Sequence, residues 1–230
     1  MAERDAAAPR RIVVVGATGR IGKRVVARLV AHGHAVTGVN RRASRQRDVL
    51  GGLPLRTVVA DASDAEAMAD TVAGANVVVL ATAPTREDPQ AYLGQSRAVI
   101  AACRTGGVGR LVAVGNYKAL DAPDGRPMLQ ADPPNPYFRE LEEVFVAQRD
   151  LFSAVVDLDW LVVAPPADLF PYGEDTGAWR VAVGTLVTSA GASGAFAETS
   201  RMSMEDFTVL LVDEIEHPAH SRVLLTAAYA

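Results

Sequence analysis

Short runs of apolar, mostly β-branched residues recur along the first two-thirds of the chain and end in turn residues. The first run, at residues 12–15, ends at Gly16, and the next segment, residues 20–31, places Val25 and Leu29 at helical spacing. A short apolar run bounded by a turn predicts a buried strand, and a three-to-four-residue apolar repeat predicts a helix that packs on it. The chain is therefore predicted to open with a strand, a turn and a helix.

The alternation of strand and helix patterns continues to residue 164. Further strands are predicted at residues 34–39, 55–60, 76–81, 110–114 and 160–164, and further helices at residues 64–73, 90–105 and 137–156. Alternating strands and helices require parallel strands joined by right-handed crossovers. The predicted fold class is therefore α/β, with a doubly wound parallel sheet.

The pattern changes beyond the Pro165-Pro166 pair. The elements expected there are extended pieces at residues 179–187, a helix at residues 203–216 that Ser203 caps, and a strand at residues 222–226. A chain of 230 residues without internal repeats fits one domain. We expect a single domain over residues 1–230, with residues 1–10 as a flexible arm and residues 165–230 as a small cap and closing elements on the substrate side.

Three glycines follow the first strand at intervals of three residues. The first allows a sharp turn, the second lets a pyrophosphate approach the backbone, and the third lets the helix pack close to the sheet. Free N–H groups at the start of the helix then face the phosphates. A purely structural turn is the alternative. We predict a dinucleotide site formed by Gly16, Thr18, Gly19, Arg20, Ile21 and Gly22.

The end of the second predicted strand indicates which dinucleotide is used. An NAD site usually carries Asp or Glu there for the ribose 2′-hydroxyl. This chain instead has Asn40, Arg41 and Arg42, and its next acidic residue is Asp48. Guanidinium groups can hold a 2′-phosphate in bidentate fashion, whereas a carboxylate repels it. The predicted cofactor is NADP(H), with a solvated basic loop as the alternative.

Polar and small residues follow the third and fourth predicted strands. Asp61, followed by Ala62, is placed to accept from the adenine amino group, but Asp61 or Ser63 could equally cap the next helix. Small residues after the fourth strand would let the chain pass beneath the ribose and nicotinamide. These residues are Ala81, Thr82 and Ala83.

Composition narrows the function classes. The formal net charge is −4, so the molecule as a whole is no polycation for nucleic acid or membranes. The basic side chains are concentrated at the start, where residues 1–47 hold 11 basic and 2 acidic side chains. The single cysteine, Cys103, excludes an internal disulfide framework and a multi-cysteine metal site, and it fits the reducing cytosol. No apolar run reaches the ~20 residues of a membrane span. We expect a cytoplasmic protein without bound metal.

Several of these segments resemble a known family. GATGRIG, NRR, VVADASD and VVVLATA resemble the atypical short-chain dehydrogenase/reductases, in particular the NmrA-like, NAD(P)H-binding group that includes biliverdin reductase B/flavin reductase-like proteins. LDWLVVAPPADL resembles the segment before that group's substrate pocket, and RMSMEDFTVLLVDEIEHPAH resembles its closing helix. The resemblance covers residues 11–228 and implies a Rossmann-type fold, an NAD(P)H site that includes Pro165, and a monomer or homodimer. Ala164 departs from it, because the group commonly has Arg there.

The catalytic pair of the classical superfamily members is missing. Those members use Tyr and Lys four residues apart, but the only lysines here, Lys23 and Lys118, follow Gly19 and Val114 at that distance. Asn116, Tyr117 and Lys118 follow the fifth predicted strand, where doubly wound sheets bind ligands, and are the catalytic candidates. A surface loop is the alternative. The candidate substrate-binding residues are Tyr137, Asp168, Tyr172 and Trp179.

These observations predict an NADPH-dependent reductase of a small organic molecule of ketone, enone, quinone or flavin type. The absent pair favours acceptors that take their proton from water. Two alternatives stay open at this point. One is an NADP(H)-sensing regulatory protein of NmrA type, and the other is a redox-neutral epimerase, dehydratase or cyclase, since fold does not fix chemistry.

Overall fold

The computed structural model describes residues 8–173, 176–189 and 194–229, so most of the predicted N-terminal arm lies outside the described residues. The strands are β1 (Arg11–Val15), β2 (Ala35–Asn40), β3 (Arg56–Val59), β4 (Val77–Leu80), β5 (Arg110–Val114), β6 (Trp160–Ala164), β7 (Asp168–Phe170), β8 (Arg180–Val183), β9 (Arg201–Ser203) and β10 (Val223–Ala228). The helices are α1 (Gly22–Ala31), α2 (Ala43–Leu50), α3 (Ala65–Val72), α4 (Ala91–Thr105), α5 (Met128–Ala131), α6 (Arg139–Ser153), α7 (Phe196–Thr199) and α8 (Met204–Glu216), with 3₁₀ turns at Tyr117–Ala119 and Pro136–Phe138.

Within these residues the main sheet has eight strands in the order β3-β2-β1-β4-β5-β6-β10-β8. Neighbouring strands run parallel except at one edge, where β8 pairs antiparallel with β10. The strand order reverses direction between β1 and β4, and such a switch point opens a crevice at the carboxyl ends of the strands. The structure confirms the predicted α/β class with its doubly wound, mostly parallel sheet.

Both faces of the sheet are covered by helices. Along β1, Val13 and Val15 belong to the core beneath α3, α4 and α6, whereas Ile12 and Val14 belong to the core beneath α1, α2 and α8. Successive side chains of a strand point to opposite faces, so a strand covered on both sides is apolar at every position. This explains why the sequence shows continuous apolar runs.

Side chains cap two helices, and one of these caps, Ser203, was predicted. The Asp64 carboxylate accepts hydrogen bonds from the backbone N–H groups of Glu66 and Ala67 at the start of α3. The Ser203 hydroxyl accepts from the Asp206 N–H at 3.0 Å at the start of α8. Asp and Ser side chains satisfy the free donors of the first helical turn in this way. The alternative cap for α3, Asp61 or Ser63, is wrong because Asp64 fills that position.

Three features of the fold differ from expectation. Helix α2 has no sequence prediction, because ASRQRDVL carries no continuous apolar stripe, and only Gln46 and Leu50 of it are buried. Strands β7 and β9 pair in parallel as a separate two-stranded sheet. Strands β10 and β8 extend the main sheet, so the segment after residue 165 completes the sheet as well as covering its edge.

The basic N-terminal segment is attached to the last helix. The Arg10 guanidinium donates to the backbone carbonyls of Ile215 and Glu216 at the C-terminal end of α8. Near the other end of α8, Arg24 of α1 donates to Glu205 at 2.9 Å. Cations at a helix C-terminus stabilise its free carbonyls. At least one arginine of the basic segment, Arg10, therefore has a structural function, which is to bind the C-terminal end of α8. Among the described helices none is long and apolar enough to cross a membrane.

Candidate active site

A cavity of about 740 Å³ opens at the carboxyl ends of β1, β2, β4 and β5. It occupies the switch point of the sheet, where the fold predicts a ligand. Most of the predicted cofactor residues line it, namely Gly16, Thr18, Gly19, Arg20, Ile21, Asn40, Arg41, Arg42, Ala62, Ala81, Thr82, Ala83 and Pro165. The structure therefore brings the glycine turn, the arginines and the small residues after β4 to one surface.

The glycine turn provides a close backbone cradle. Gly16 has a φ of +84°, and a Cβ at this position would lie 2.6 Å from the Ala81 carbonyl oxygen. A Cβ at Gly22 would collide with the Gly16 carbonyl, so Gly22 lies behind the turn and does not line the cavity. Gly19 lies on the cavity side and donates its N–H to the Gly16 carbonyl at 2.9 Å. These features fit a pyrophosphate lying against the turn.

Asn40 joins the end of β2 to this turn. Its amide oxygen accepts from the backbone N–H of Thr18 at 3.2 Å and from the Thr18 hydroxyl at 2.8 Å. Its amide nitrogen is buried and has no hydrogen-bond partner among the described residues. A buried donor without a partner is unfavourable unless a ligand satisfies it. Asn40 thus holds the turn and keeps one donor for a ligand.

Four arginines lie around the β2 end of the cavity. Arg20, Arg41 and Arg42 were predicted there, and the structure adds Arg45 from the first turn of α2. None of the four has an ion-pair partner within the described residues, in contrast to Arg24 and its partner on α8. Unpaired guanidinium groups at the mouth of a cleft attract and bind phosphate.

Asp61 is not among the residues that line this cavity, although its neighbour Ala62 is. The Asp61 carboxylate accepts from the backbone N–H of Ser63 at 2.9 Å and from its hydroxyl at 2.7 Å. These hydrogen bonds, backbone first, lower the pKa of Asp61. Asp61 closes the turn before α3, and the predicted adenine contact stays a prediction.

The β5 end of the cavity has a different chemistry. Among the described residues no charged side chain lines it, and its walls are mostly apolar, with the Asn116 amide, the Gln95 amide and the Thr82 hydroxyl as polar groups. Its apolar walls include Val114, Phe145, Pro165, Leu169 and Met204. Pockets for small molecules typically combine apolar walls with a few placed polar groups. One cavity therefore joins a cationic end to a neutral end.

The other two catalytic candidates, Tyr117 and Lys118, point into the protein and do not line the cavity. The Tyr117 hydroxyl donates to Asp132 at 2.9 Å. The Lys118 ammonium group is 4% exposed and forms ion pairs with Asp132 at 2.7 Å and Glu142 at 3.2 Å. Burial and the hydrogen bond to Asp132 raise the pKa of Tyr117. Tyr117 and Lys118 thus link the 3₁₀ turn to Asp132, and Lys118 links it also to Glu142 of α6. Of the three catalytic candidates, Asn116 is the one that lines the cavity.

The predicted substrate-binding residues also lie outside the cavity lining. Asp168 forms an ion pair with Arg201 at 2.7 Å, since β7 turns its neighbour Leu169 inward and Asp168 to the other face. Tyr172 is 89% exposed, and Trp179 packs on the core beneath α1 and α8. Tyr137 is exposed beneath the Arg86 guanidinium, 3.3 Å from its ring centroid. The structure does not bring these four residues together.

Ten cavity residues were not predicted as site residues. Five are small or apolar residues in or next to the strand ends, namely Val15, Val39, Ala60, Val114 and Gly115, and the other five are Arg45, Gln95, Phe145, Leu169 and Met204. Arg45 follows Arg42 by one helical turn, so recognising α2 would have found it. Gln95 is a polar residue on the buried stripe of α4 that includes Tyr92 and Val99, and such an interruption is a usable signal. Phe145, Leu169 and Met204 give no such signal because apolar residues on buried faces are ordinary.

Comparison with known proteins bears on the family and the fold. Residues 16–215 match a family described as NAD(P)H-binding. A Streptomyces protein named 3-diazoavenalumate denitrifying reductase is 32% identical over 232 residues, which cover 91% of this chain and 73% of the relative. A Burkholderia pseudomallei crystal structure labelled as an exported protein has a TM-score of 0.81 at 30% identity, covering 96% and 100% of the two chains. A wide-type short-chain dehydrogenase/reductase from Veillonella parvula, solved with NADP, shares the fold with a TM-score of 0.70 at 13% identity, covering 95% and 94%.

The chain therefore belongs to the NAD(P)H-binding family. This membership confirms the resemblance to the atypical short-chain dehydrogenase/reductases. The protein is an NAD(P)H-dependent oxidoreductase, with a nicotinamide dinucleotide as cofactor and a small molecule as substrate. The choice between NADH and NADPH, the substrate and the roles of the individual residues stay predictions.

Proposed function

We propose that the protein is an NADPH-dependent reductase of a small organic acceptor of ketone, enone, quinone or flavin type. The observation that supports this best is the single cavity that runs from four arginines without ion-pair partners to a neutral, largely apolar end. A 2′-phosphate fits the first end and an uncharged acceptor fits the second. A regulatory binding protein has no need of the neutral end, so the cavity favours the reductase.

The chain's own residues bind and orient the reactants. The glycine turn holds the pyrophosphate, and Arg41, Arg42 and Arg45 hold the 2′-phosphate. Bound NADPH supplies the hydride. Asn116 orients the acceptor, because its amide oxygen already accepts from the Lys118 N–H at 3.0 Å and its NH₂ group has no partner among the described residues. Water supplies the proton, since the Tyr117 hydroxyl already donates a hydrogen bond to the Asp132 carboxylate.

The Streptomyces relative suggests one more acceptor class. Its name describes the reduction of a diazo compound with loss of nitrogen. A hydride that replaces the leaving N₂ needs no proton donor from the protein, which fits a site without the Tyr and Lys pair. Aryl diazo compounds therefore belong among the acceptors to be tested.

The test is NADPH oxidation, followed by absorbance, with quinones, flavins, enones, ketones and an aryl diazo compound. We expect turnover of at least one class, and the double variant Arg41→Glu with Arg42→Glu is expected to raise the KM for NADPH far more than that for NADH. Absence of turnover on every class contradicts the reductase proposal. An unchanged preference between the two cofactors contradicts the NADP(H) assignment separately.

We also propose a cytoplasmic location and a monomer or homodimer. The buried thiol of Cys103 is the described chain's single cysteine, which is compatible with a reducing compartment. Fractionation of cells that produce the full chain tests the location. Light scattering across a concentration series tests the oligomeric state, and a stable tetramer would contradict it.

A further inference from the structure

The structure points to a specificity-determining residue at the neutral end of the cavity. Gln95 lies on the second turn of α4 and lines the cavity beside Asn116 and Phe145. The residue is only 9% exposed. Its amide oxygen is buried without a hydrogen-bond partner. Its amide nitrogen donates no hydrogen bond to any of the described residues. A polar side chain therefore lies at the cavity wall with its hydrogen-bonding capacity unused.

The neighbouring buried polar side chains on α4 and α6 have hydrogen-bond partners. The Ser96 hydroxyl donates to the Tyr92 carbonyl at 3.1 Å, and the Tyr92 hydroxyl donates to the Val114 carbonyl at 3.0 Å. The Gln148 amide of α6 reaches the Ser96 hydroxyl at 3.5 Å. Buried polar groups without partners are rare and costly, and they need an explanation. In this helix the exception is the residue that faces the cavity.

The surroundings restrict what can satisfy Gln95. Within the part of the chain that the structure describes, the charged side chains that line the cavity are the four arginines at its other end. At the neutral end, Asn116 presents an amide donor and Thr82 a buried hydroxyl without a partner. Charged groups are strongly disfavoured in such apolar surroundings, whereas a neutral hydroxyl or N–H group that finds an acceptor is accommodated.

We infer that the Gln95 amide turns about its terminal torsion, which exchanges the positions of its oxygen and nitrogen, and that its oxygen then binds the substrate by accepting a hydrogen bond from a neutral O–H or N–H donor that the acceptor molecule carries. The substrate class is thus an uncharged acceptor with such a donor, for example a hydroxyaryl enone or a hydroxyaryl quinone. This inference rests on the proposed reductase function. Asn116 contacts the reducible end of the molecule, and Gln95 selects for the donor group.

Matched acceptors test the inference. One pair is 4-hydroxybenzylideneacetone and 4-methoxybenzylideneacetone, and corresponding hydroxyl and methoxy pairs are made for a quinone and an aryl ketone. The two members of each pair differ only in the O–H donor, which the methoxy member lacks. We expect the wild type with bound NADP⁺ to bind the preferred hydroxyl member about tenfold more tightly, the value of one neutral hydrogen bond. Gln95→Leu is expected to remove the preference and leave NADPH affinity unchanged.

Two further readouts separate this role from a structural one. Gln95→Leu removes an unsatisfied buried group, so its Tm is expected to equal or exceed that of the wild type. The matched control is Gln148→Leu, a buried glutamine that has a partner and does not line the cavity, which is expected to lower Tm and keep the hydroxyl preference.

The outcomes are distinct. Equal binding of hydroxyl and methoxy members on every scaffold overturns the inference, and so does a hydroxyl preference that survives Gln95→Leu. Weaker NADPH binding by Gln95→Leu also overturns it, because Gln95 would then hold the cofactor. Failure of the wild type to oxidise NADPH with any acceptor refutes the proposed function instead, while the binding comparison still decides the role of Gln95.

Discussion

His34 donates a hydrogen bond from Nε2 to the Glu216 carboxylate, with 2.7 Å between the two atoms. The tautomer follows from the other ring nitrogen, since Nδ1 of His34 accepts from the Arg10 backbone N–H at 3.1 Å. His32 lies 2.8 Å from the same carboxylate oxygen. Burial raises the pKa of Glu216, but the hydrogen bonds from the two histidines outweigh it, so the net pKa is lowered from 4.5.

We predict that acid weakens the contact of His32 and His34 with Glu216 at the end of α8. Because the pKa of Glu216 is lower in the folded state, its stabilising effect is complete above pH about 4.5 and is lost as the pH falls through the lowered value. Glu216→Gln is expected to reduce the free energy of unfolding by about 1.5 to 3 kcal/mol at pH 7 and to reduce its dependence on acid pH.

Urea unfolding between pH 7 and pH 3 measures both effects of Glu216→Gln. The control is Glu143→Gln, an exposed glutamate whose distance to Arg139 is 3.8 Å, which is expected to change stability little. Identical pH dependence in the wild type and Glu216→Gln would refute the link.

Arg45 is predicted to contribute to cofactor selection although the sequence pattern missed it. Arg45→Glu replaces a guanidinium group at the cavity with a carboxylate that repels a 2′-phosphate. We expect the KM for NADPH to rise on the order of 10-fold while the KM for NADH changes little. Arg47→Glu is the control, because Arg47 lies two residues further along α2, is exposed and does not line the cavity. An equal rise of the KM for NADPH in both variants would mean that the charge acts nonspecifically and that Arg45 does not contact the 2′-phosphate.

The glycine turn is predicted to accept no side chain at Gly19. Gly19→Val would place methyl groups where the pyrophosphate approaches, and binding of both NADPH and NADH is expected to fall below detection by calorimetry. Gly94→Ala is the control, because a Cβ there meets nothing within 4 Å and alanine is expected to stabilise α4 by about 0.5 to 1 kcal/mol. NADPH binding by Gly19→Val at wild-type affinity would contradict the prediction that the pyrophosphate lies against the glycine turn.

Tyr117→Phe separates a structural role from a catalytic one. The variant loses the hydroxyl that donates to Asp132, so we expect the free energy of unfolding to fall by about 1 kcal/mol. A hydroxyl that faces away from the cavity should leave the pH profile of kcat unaltered in shape. A fall of kcat by 100-fold or more, restricted to ketone substrates, would instead make Tyr117 the proton donor.

The extent of prediction from sequence differs between the sheet and the site. Strands such as β1 are covered on both faces, so their apolar runs stand out, and the glycine turn is a local motif with a fixed geometry. Helix α2 has only a few buried side chains, so its apolar pattern is too weak to predict a helix. Because the helix was not predicted, Arg45 was not recognised as a cavity residue. Tyr117 was predicted at the site and does not line the cavity, whereas its neighbour Asn116 does. Adjacent residues at a 3₁₀ turn point in different directions, and sequence spacing does not reveal which of them faces the cavity.

The core on the α1 side has a consequence for synthesis of the chain. Val25 and Leu29 from near the N-terminus pack in the same core as Phe207, Leu211 and Ile215 of α8. During synthesis this face of the sheet stays exposed until α8 has been made and has left the ribosome exit tunnel. This core can be completed only then, and truncations within α8 should yield aggregation-prone chains, since apolar surface stays uncovered.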